Sequence, residues 1–328
     1  MRHFLWHIIF LAFFLSGPVE TLHSQSPFVY EVEGRESLTL ASGNQKKGFT
    51  RYIEVSHEPG YVDLFSTSLT AQASSPAPGD TASSFVLERI GGVYRFNFFR
   101  RPWIRRWHVA GLRGDFHFKN NPLITSLNYG TLVGSGVDKP DRTNLQFRLE
   151  SYPRITPSDY AYLSMAYSAS NLFPDQYYGA EWYHSFSRGF EASLGLRWMQ
   201  WEESIWFYTG SVGKYLGNYW FSLRAYLTPG EKSTGQTYIF SARKYLATSM
   251  DYLGIKLEYG NSPDNLSYLV DFPEIKRLNS MGAHLTMQRD LNQWLLYIDL
   301  GYRREEYQND AFRGHFSTRL HLLYQLNK

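Results

Sequence analysis

His315 and Ser317 stand two residues apart near the C-terminal end of a 328-residue chain. On an extended strand that spacing puts both side chains on one face, where an imidazole can take the proton of a serine hydroxyl and make it a nucleophile. Arg319 and His321 continue the same face, so the row is polar and points to an aqueous interior, away from any lipid substrate. Spacing alone identifies no acidic partner for the histidine. The competing reading is a row of hydrogen-bonded polar side chains. Two carboxylate pairs, Glu202-Glu203 and Glu305-Glu306, invite an acid–base reading. Neighbours on a strand face opposite ways, so neither pair can cooperate from one strand. Beside outer loops they are expected to be solvated, or to bind divalent cations that bridge lipopolysaccharide.

A larger set of charges recurs in mid-strand: Arg148, Glu150, Glu181, Glu191, Arg197, Arg224, Arg243, Lys256 and Glu258. A sandwich core could not bury them, whereas a water-filled or salt-bridged lumen can. They suit a selectivity region for charged solutes or sugars, or a ladder of salt bridges that leaves the barrel closed. Tyr160, Tyr162, Tyr183 and Tyr297 share the inward phase, as a sliding surface for sugars or as lumen packing. The ten histidines form no HExxH or other ligand spacing, so neither a metal nor a cofactor is expected. Glycines in "GTLVGSG" and "TGSVG" lack the strand-to-helix context of a phosphate loop and read as bulge or loop residues.

These side chains are positioned by strands. From about Glu88 the chain alternates with period two between turn signals, and no stripe of period 3.6 occurs. Strands are expected near 88–99, 105–119, 122–133, 143–152, 159–169, 177–187, 190–201, 204–216, 219–228, 236–246, 252–260, 278–289, 294–305 and 313–326. In "NLQFRLES", Leu145, Phe147 and Leu149 oppose Gln146, Arg148 and Glu150. In "YLGIKLEYG", Ile255, Leu257 and Tyr259 oppose Lys256 and Glu258. In "WFYTGSVGKYLGNYWFSLRAYLTP" the rings are expected to face lipid, and Gly217-Asn218 to make a two-residue hairpin turn. Short links such as "KNNP", "SRG" and "LGN" follow even-numbered strands. Longer ones, above all "NSPDNLSYLVDFPEIKR", mostly follow odd-numbered strands, although "PRITPSD" and "WEE" break the parity. Such sorting, and an even strand count, belong to outer-membrane barrels. The chain ends with a strand, "GHFSTRLHLLYQLNK", whose Phe316, Leu320, Leu322, Tyr324 and Leu326 share one face.

Composition agrees. Aromatic residues make up 17% of the chain while the hydrophobic fraction is only 43%, which suits a sheet with one apolar face and interfacial girdles. A net charge of +3, with Lys and Arg dispersed, argues against nucleic acid as a partner. The absence of cysteine excludes disulfides, Cys-ligated zinc, thiol catalysis and lipoprotein anchoring. At the N-terminus Arg2 precedes an apolar run, Phe4 to Leu15, too short to span a bilayer and typical of a secretory signal. Cleavage after Ser24 or Gln25 is expected, so residues 1–25 read as signal peptide, 26–87 as a periplasmic extension and 88–328 as the barrel. Within 26–87, "GFTRYIEVSHEPG" and "LFSTSLTAQ" read alternatively as two more strands, and "ASSPAPGDTASS" as a flexible linker.

Four blocks, "RLESYP", "NLFPDQYYGAEWYHSF", "FEASLGLRWM" and "YTGSVGKYLGNYWFSLRAYLTP", in that order and spacing, make residues 88–328 resemble the YaiO-type outer-membrane β-barrel family. The resemblance implies a bacterial outer-membrane location and carries over no catalytic or ligand-binding residues. It also hints at company with polysaccharide-handling proteins. The expected fold is all-β: a transmembrane, antiparallel, up-and-down barrel of about fourteen strands, with twelve or sixteen as alternatives. Expected partners are outer-membrane lipid and lipopolysaccharide, the barrel-assembly machinery, and polysaccharide. The leading functional expectation is porin-like passage of small solutes or saccharides. A closed barrel that binds or scaffolds polysaccharide machinery through residues 26–87 is the alternative, and a lipid hydrolase or acyltransferase using His315 and Ser317 is third.

Overall fold

The computed structural model describes residues 85–100, 104–118, 121–134, 142–169, 172–201, 204–230, 234–261, 279–308 and 311–326, and the strands Tyr52–Val55 and Leu69–Gln72. The last two, β1 and β2, pair antiparallel with each other in a sheet of their own. The barrel sheet therefore has fourteen strands and not sixteen. They are β3 (Phe85–Phe99), β4 (Arg105–Phe118), β5 (Asn121–Gly134), β6 (Arg142–Ser151), β7 (Asp159–Ser168), β8 (Gln176–Ser185) and β9 (Phe190–Gln200). The second half comprises β10 (Ser204–Leu216), β11 (Tyr219–Thr228), β12 (Gly235–Tyr245), β13 (Tyr252–Gly260), β14 (Ser280–Leu291), β15 (Trp294–Gln308) and β16 (Ala311–Gln325). Each strand pairs antiparallel with its sequence neighbours, and β16 pairs with β3 to close the ring. Closure leaves no sheet edge with unpaired N–H and C=O groups, which the interior of a bilayer requires.

Burial runs opposite to that of a soluble protein. Along nearly every strand one phase is exposed and apolar while the other is buried and largely polar. Leu112, Leu223 and Leu285 are exposed at mid-height of the outer surface. Exposed rings collect toward the two ends: Tyr129, Tyr167, Trp206, Tyr238 and Tyr259 at the end with the longer links, and Phe118, Trp182, Tyr219 and Trp294 at the other. Trp182 donates its indole N–H to Asp159 Oδ1 at 3.1 Å, so an apolar ring ends in a satisfied polar tip. That is the arrangement an interfacial girdle calls for.

The rings of the β10–β11 hairpin divide between the faces. Trp206, Tyr208 and Tyr219 point out, whereas Phe207, Trp220 and Tyr226 are buried inside. The expectation that these rings face lipid thus holds for only part of them. Strict alternation sends every second residue inward, and a wide lumen accepts large rings where a narrow one would need small residues. Between the strands, Gly217 has φ +58°, in the left-handed region that suits the first central position of a type II′ turn. A side chain there would meet nothing within 4 Å, so only the backbone demands glycine. Gly217→Ala is expected to cost about 1–2 kcal/mol, read as a lowered urea midpoint of the refolded barrel. An unchanged midpoint would show that the turn relaxes freely.

Candidate functional site

The inner wall carries the chemistry. Of the charge set singled out above, Arg148, Glu150, Glu181, Arg197, Arg224, Arg243, Lys256 and Glu258 are buried on the inward phase and Glu191 is half-buried beside them. Most of these are bound into networks. Arg148 donates to Glu150 Oε1 at 2.8 Å and to the Tyr162 hydroxyl at 3.1 Å, and that hydroxyl donates to the same carboxylate oxygen at 2.6 Å. Glu181 is a hub. Arg224 donates to its Oε1 at 2.6 Å, Ser193 Oγ donates to the same oxygen at 2.6 Å, and Arg197 lies 3.5 Å from its Oε2. Arg224 also reaches the hydroxyls of Thr209 at 2.9 Å and Tyr183 at 2.9 Å.

The local sequence explains how an arginine on β11 reaches a glutamate on β8. Glu181 lies in register with Gly195 and Gly195 with Thr209, while Arg224 lies opposite Ser211 and Ser211 opposite Ser193. Small side chains on the two intervening strands leave the path clear. A Cβ at Gly195 would sit 2.6 Å from that of Glu181. Arg243 is held differently, its guanidinium 4.8 Å from the Trp220 ring centroid and 4.7 Å from that of Tyr252. The inward tyrosines Tyr160, Tyr162, Tyr183 and Tyr297 are all buried, and Tyr160 stacks on Tyr183 with centroids 4.6 Å apart.

His315 and Ser317 do share the inward phase of β16, but the histidine is committed elsewhere. Its Nδ1 is 3.0 Å from Glu305 Oε1 and its Nε2 is 3.0 Å from Asn97 Oδ1. Both ring nitrogens are engaged, so neither serves Ser317. The acidic partner that spacing could not identify is Glu305. That residue is a correction: it is buried rather than solvated beside a loop, because it falls on the inward phase of β15 and is bonded by Arg313 at 2.9 Å. Glu306, on the opposite phase, accepts from the Asn279 side chain at 3.1 Å. Glu202-Glu203 and most of "NSPDNLSYLVDFPEIKR" lie outside the described residues. Ser317 instead shares a register row with Gly301 and His284, and His284 Nδ1 is 3.1 Å from Asp299 Oδ1.

Several inward residues escaped the sequence reading. Asp115 is bonded by Arg113 at 2.6 Å and by Arg89 at 2.9 Å, and Arg303 donates to Glu258, which alone of these five was singled out above. Their period-two placement was available as a signal, although around Arg89 "RIGGVYRFNFFR" mixes charge, glycine and rings too closely to reveal its facing. Phe173, in the link between β7 and β8, also turns inward and packs with Trp107, Val109 and Leu132. Among the described residues no cluster of three or more His, Asp or Glu is placed to hold a metal ion.

The chain has similar proteins among those known. A family model described as YaiO membrane beta barrel domain matches residues 88–265. No curated protein matches the sequence. Solved structures of similar fold include Pseudomonas aeruginosa OccK7 (OpdD), with TM-score 0.41 and 8% identity over 74% of this chain and 99% of that one. Pseudomonas aeruginosa OpdO gives TM-score 0.40 and 9% identity over 74% and 96%. Salmonella typhi OmpF, solved in complex with daunomycin, gives TM-score 0.38 and 9% identity over 73% and 97%.

Proposed function

The chain belongs to the YaiO membrane beta barrel domain family, and on that premise we propose that it lies in the bacterial outer membrane and passes small polar solutes, saccharides among them, along the inside of its barrel. The observation that carries this reading is the inversion of the two faces: leucines and rings outside, charges, amides and hydroxyls inside. An apolar outer surface of this extent needs lipid around it. A polar inner wall on fourteen strands suits solutes that would otherwise meet hydrocarbon. In this reading residues 1–25 direct export and are removed, residues 26–87 form a periplasmic extension, and the outer surface contacts lipid and lipopolysaccharide after insertion by the assembly machinery.

The wall also has a sign. Among the described residues, eleven buried Lys and Arg accompany seven buried Asp and Glu. An interior with excess cations favours anions as the current-carrying species. Refolded protein in a planar bilayer under a KCl gradient is expected to conduct in stable steps, with a reversal potential on the anion-selective side. Cation selectivity would contradict the assignment of the wall. A folded but silent barrel would support a second reading, a closed barrel that binds or scaffolds. The feature favouring that reading is the extent to which buried charges such as Arg148–Glu150 and Arg224–Glu181 are already paired.

A further inference from the structure

Positive charge on the outer wall gathers in one sector at the end with the longer links. Three arginines stand there on the outward phase of adjacent strands: Arg304 on β15, Arg100 directly after β3, and Arg106 on β4. All three are exposed. At the same end, the described outward residues of β5–β14 include no Lys or Arg; Leu145, Tyr167, Gln176 and Ser204 are typical of them. None of the three arginines has an ion-pair partner, whereas Arg148 and Arg224 on the inner wall do. Glu306, the one described carboxylate on the outward phase of this sector at that end, accepts from Asn279 instead. Exposed cations on a lipid-facing wall belong at headgroup level, where anionic groups can meet them.

Register fixes their layout. Arg304 lies opposite Gly314 of β16, and the Arg100 backbone N–H donates to the Gly314 carbonyl at 3.1 Å. The two arginines therefore flank Gly314 with backbones about 10 Å apart, two strand spacings. The Tyr302 hydroxyl lies over that glycine, 3.2 Å from where a Cβ would be, which puts a further donor between them. The Arg304 guanidinium rests 4.1 Å from the Phe312 ring centroid. One step toward mid-height, Tyr302, Phe316, Phe98 and Arg106 form the next row. Below Arg106 on the same phase, His108 Nδ1 is 2.8 Å from the Tyr94 hydroxyl, and His108 Nε2 has no hydrogen-bond partner. A polar couple with spare capacity thus sits between the arginines and the apolar wall.

Guanidinium groups meet phosphate through paired N–H donors, and arginine is the residue best suited to such contacts. A phosphodiester headgroup brings one anionic group and meets one arginine. Arginines spread over four strands suit an amphiphile that carries more than one phosphate on a rigid frame, with acyl chains lying along the rings beneath. The polar linkages that join those chains to the frame find donors and acceptors in His108 and Tyr94. We propose that the outward face of β15, β16, β3 and β4 at this end docks lipid A, the phosphorylated and acylated disaccharide that anchors lipopolysaccharide. Arg304, Arg100 and Arg106 hold its phosphates. The site deepens the outer-membrane reading and rests on the long-link end facing outward.

The test is native mass spectrometry of the refolded full chain in detergent micelles, titrated with purified lipid A. Phosphatidylglycerol and lipid A stripped of its phosphates are the comparison lipids. The expected result is retention of lipid A on the barrel, with either comparison lipid held at least about tenfold more weakly. Arg106→Gln and Arg304→Gln are each expected to weaken retention about 3–10-fold, and the double variant by more than about tenfold. Neither arginine is ion-paired, so the variants should fold like the parent, judged by heat-modifiable mobility. Lys244→Gln, at an exposed outward cation near the other end, should change retention by less than about twofold, since it lies beyond a Debye length. No retention of lipid A, equal retention of a comparison lipid, unchanged affinity in the folded double variant, or an equal loss in Lys244→Gln would overturn the site. Cysteine labelling separates this from the wider reading. The chain has no cysteine, and Ser204→Cys, exposed at the same end on β10, is expected to react with an impermeant maleimide in intact cells. Labelled cells without arginine-dependent retention lose only the site, whereas unlabelled cells lose the orientation and the site with it.

Discussion

Glu181→Ala is expected to destabilise the folded barrel by about 3–5 kcal/mol, the cost of removing one partner from a buried ion-paired group. The carboxylate accepts from Arg224 and Ser193 and sits beside Arg197, so its loss strips a shared counter-charge from two buried guanidinium groups. Glu181→Gln keeps the shape and an acceptor for Ser193, and should fall between parent and alanine variant. Glu306→Ala, on the outward phase beside Asn279, is the control and should stay within about 0.5 kcal/mol of the parent. Urea unfolding in phospholipid vesicles measures all three. If Glu181→Ala shifts the midpoint no more than Glu306→Ala does, the network is ornamental and water replaces it without loss.

A second large effect is expected on the other face. Leu285, at mid-height of β14 and 63% exposed, would be an unremarkable surface residue on a soluble protein, where replacement by arginine changes stability little. On a lipid-facing wall the same change at the bilayer midplane costs about 2–4 kcal/mol. Tyr259, also 63% exposed but next to the end of β13, should tolerate arginine at about 0–1 kcal/mol because its side chain reaches the interface. The comparison needs only relative folding free energies in vesicles. Equal costs at the two depths would mean that no hydrocarbon band surrounds the barrel, and a negligible cost at both would mean that the outer face meets water.

Much of the fold was legible because the decisive signal is local. Each strand alternates with period two, and residues such as Lys256 against Ile255 and Leu257 declare their facing without reference to any other strand. The fourteen expected strands correspond to β3–β16, and Gly217 occupies the turn its type suggests. Facing was less readable where rings occur in both phases. In β10, Trp206 and Tyr208 face out while the intervening Phe207 faces in, and composition does not distinguish them.

The candidate site was less legible than the scaffold. His315 finds Asn97 only because β16 closes on β3, a separation of 218 residues. Ser317 meets the row of His284 through Gly301 rather than meeting His315, and no spacing within one strand could show it. Asn128 drew no notice and Gln146 was read only as an inward residue of its strand; they became a pair only when β5 and β6 were set in register. By itself the sequence determined the strand content, which residues alternate between two environments, and an architecture that must close on itself. The tertiary structure decided which charges neutralise one another, which histidine stands near which hydroxyl, and which amides are left unpaired. The physical reason is that the pleat repeats every two residues along one chain, while register and closure depend on the turns and stagger of all fourteen strands together.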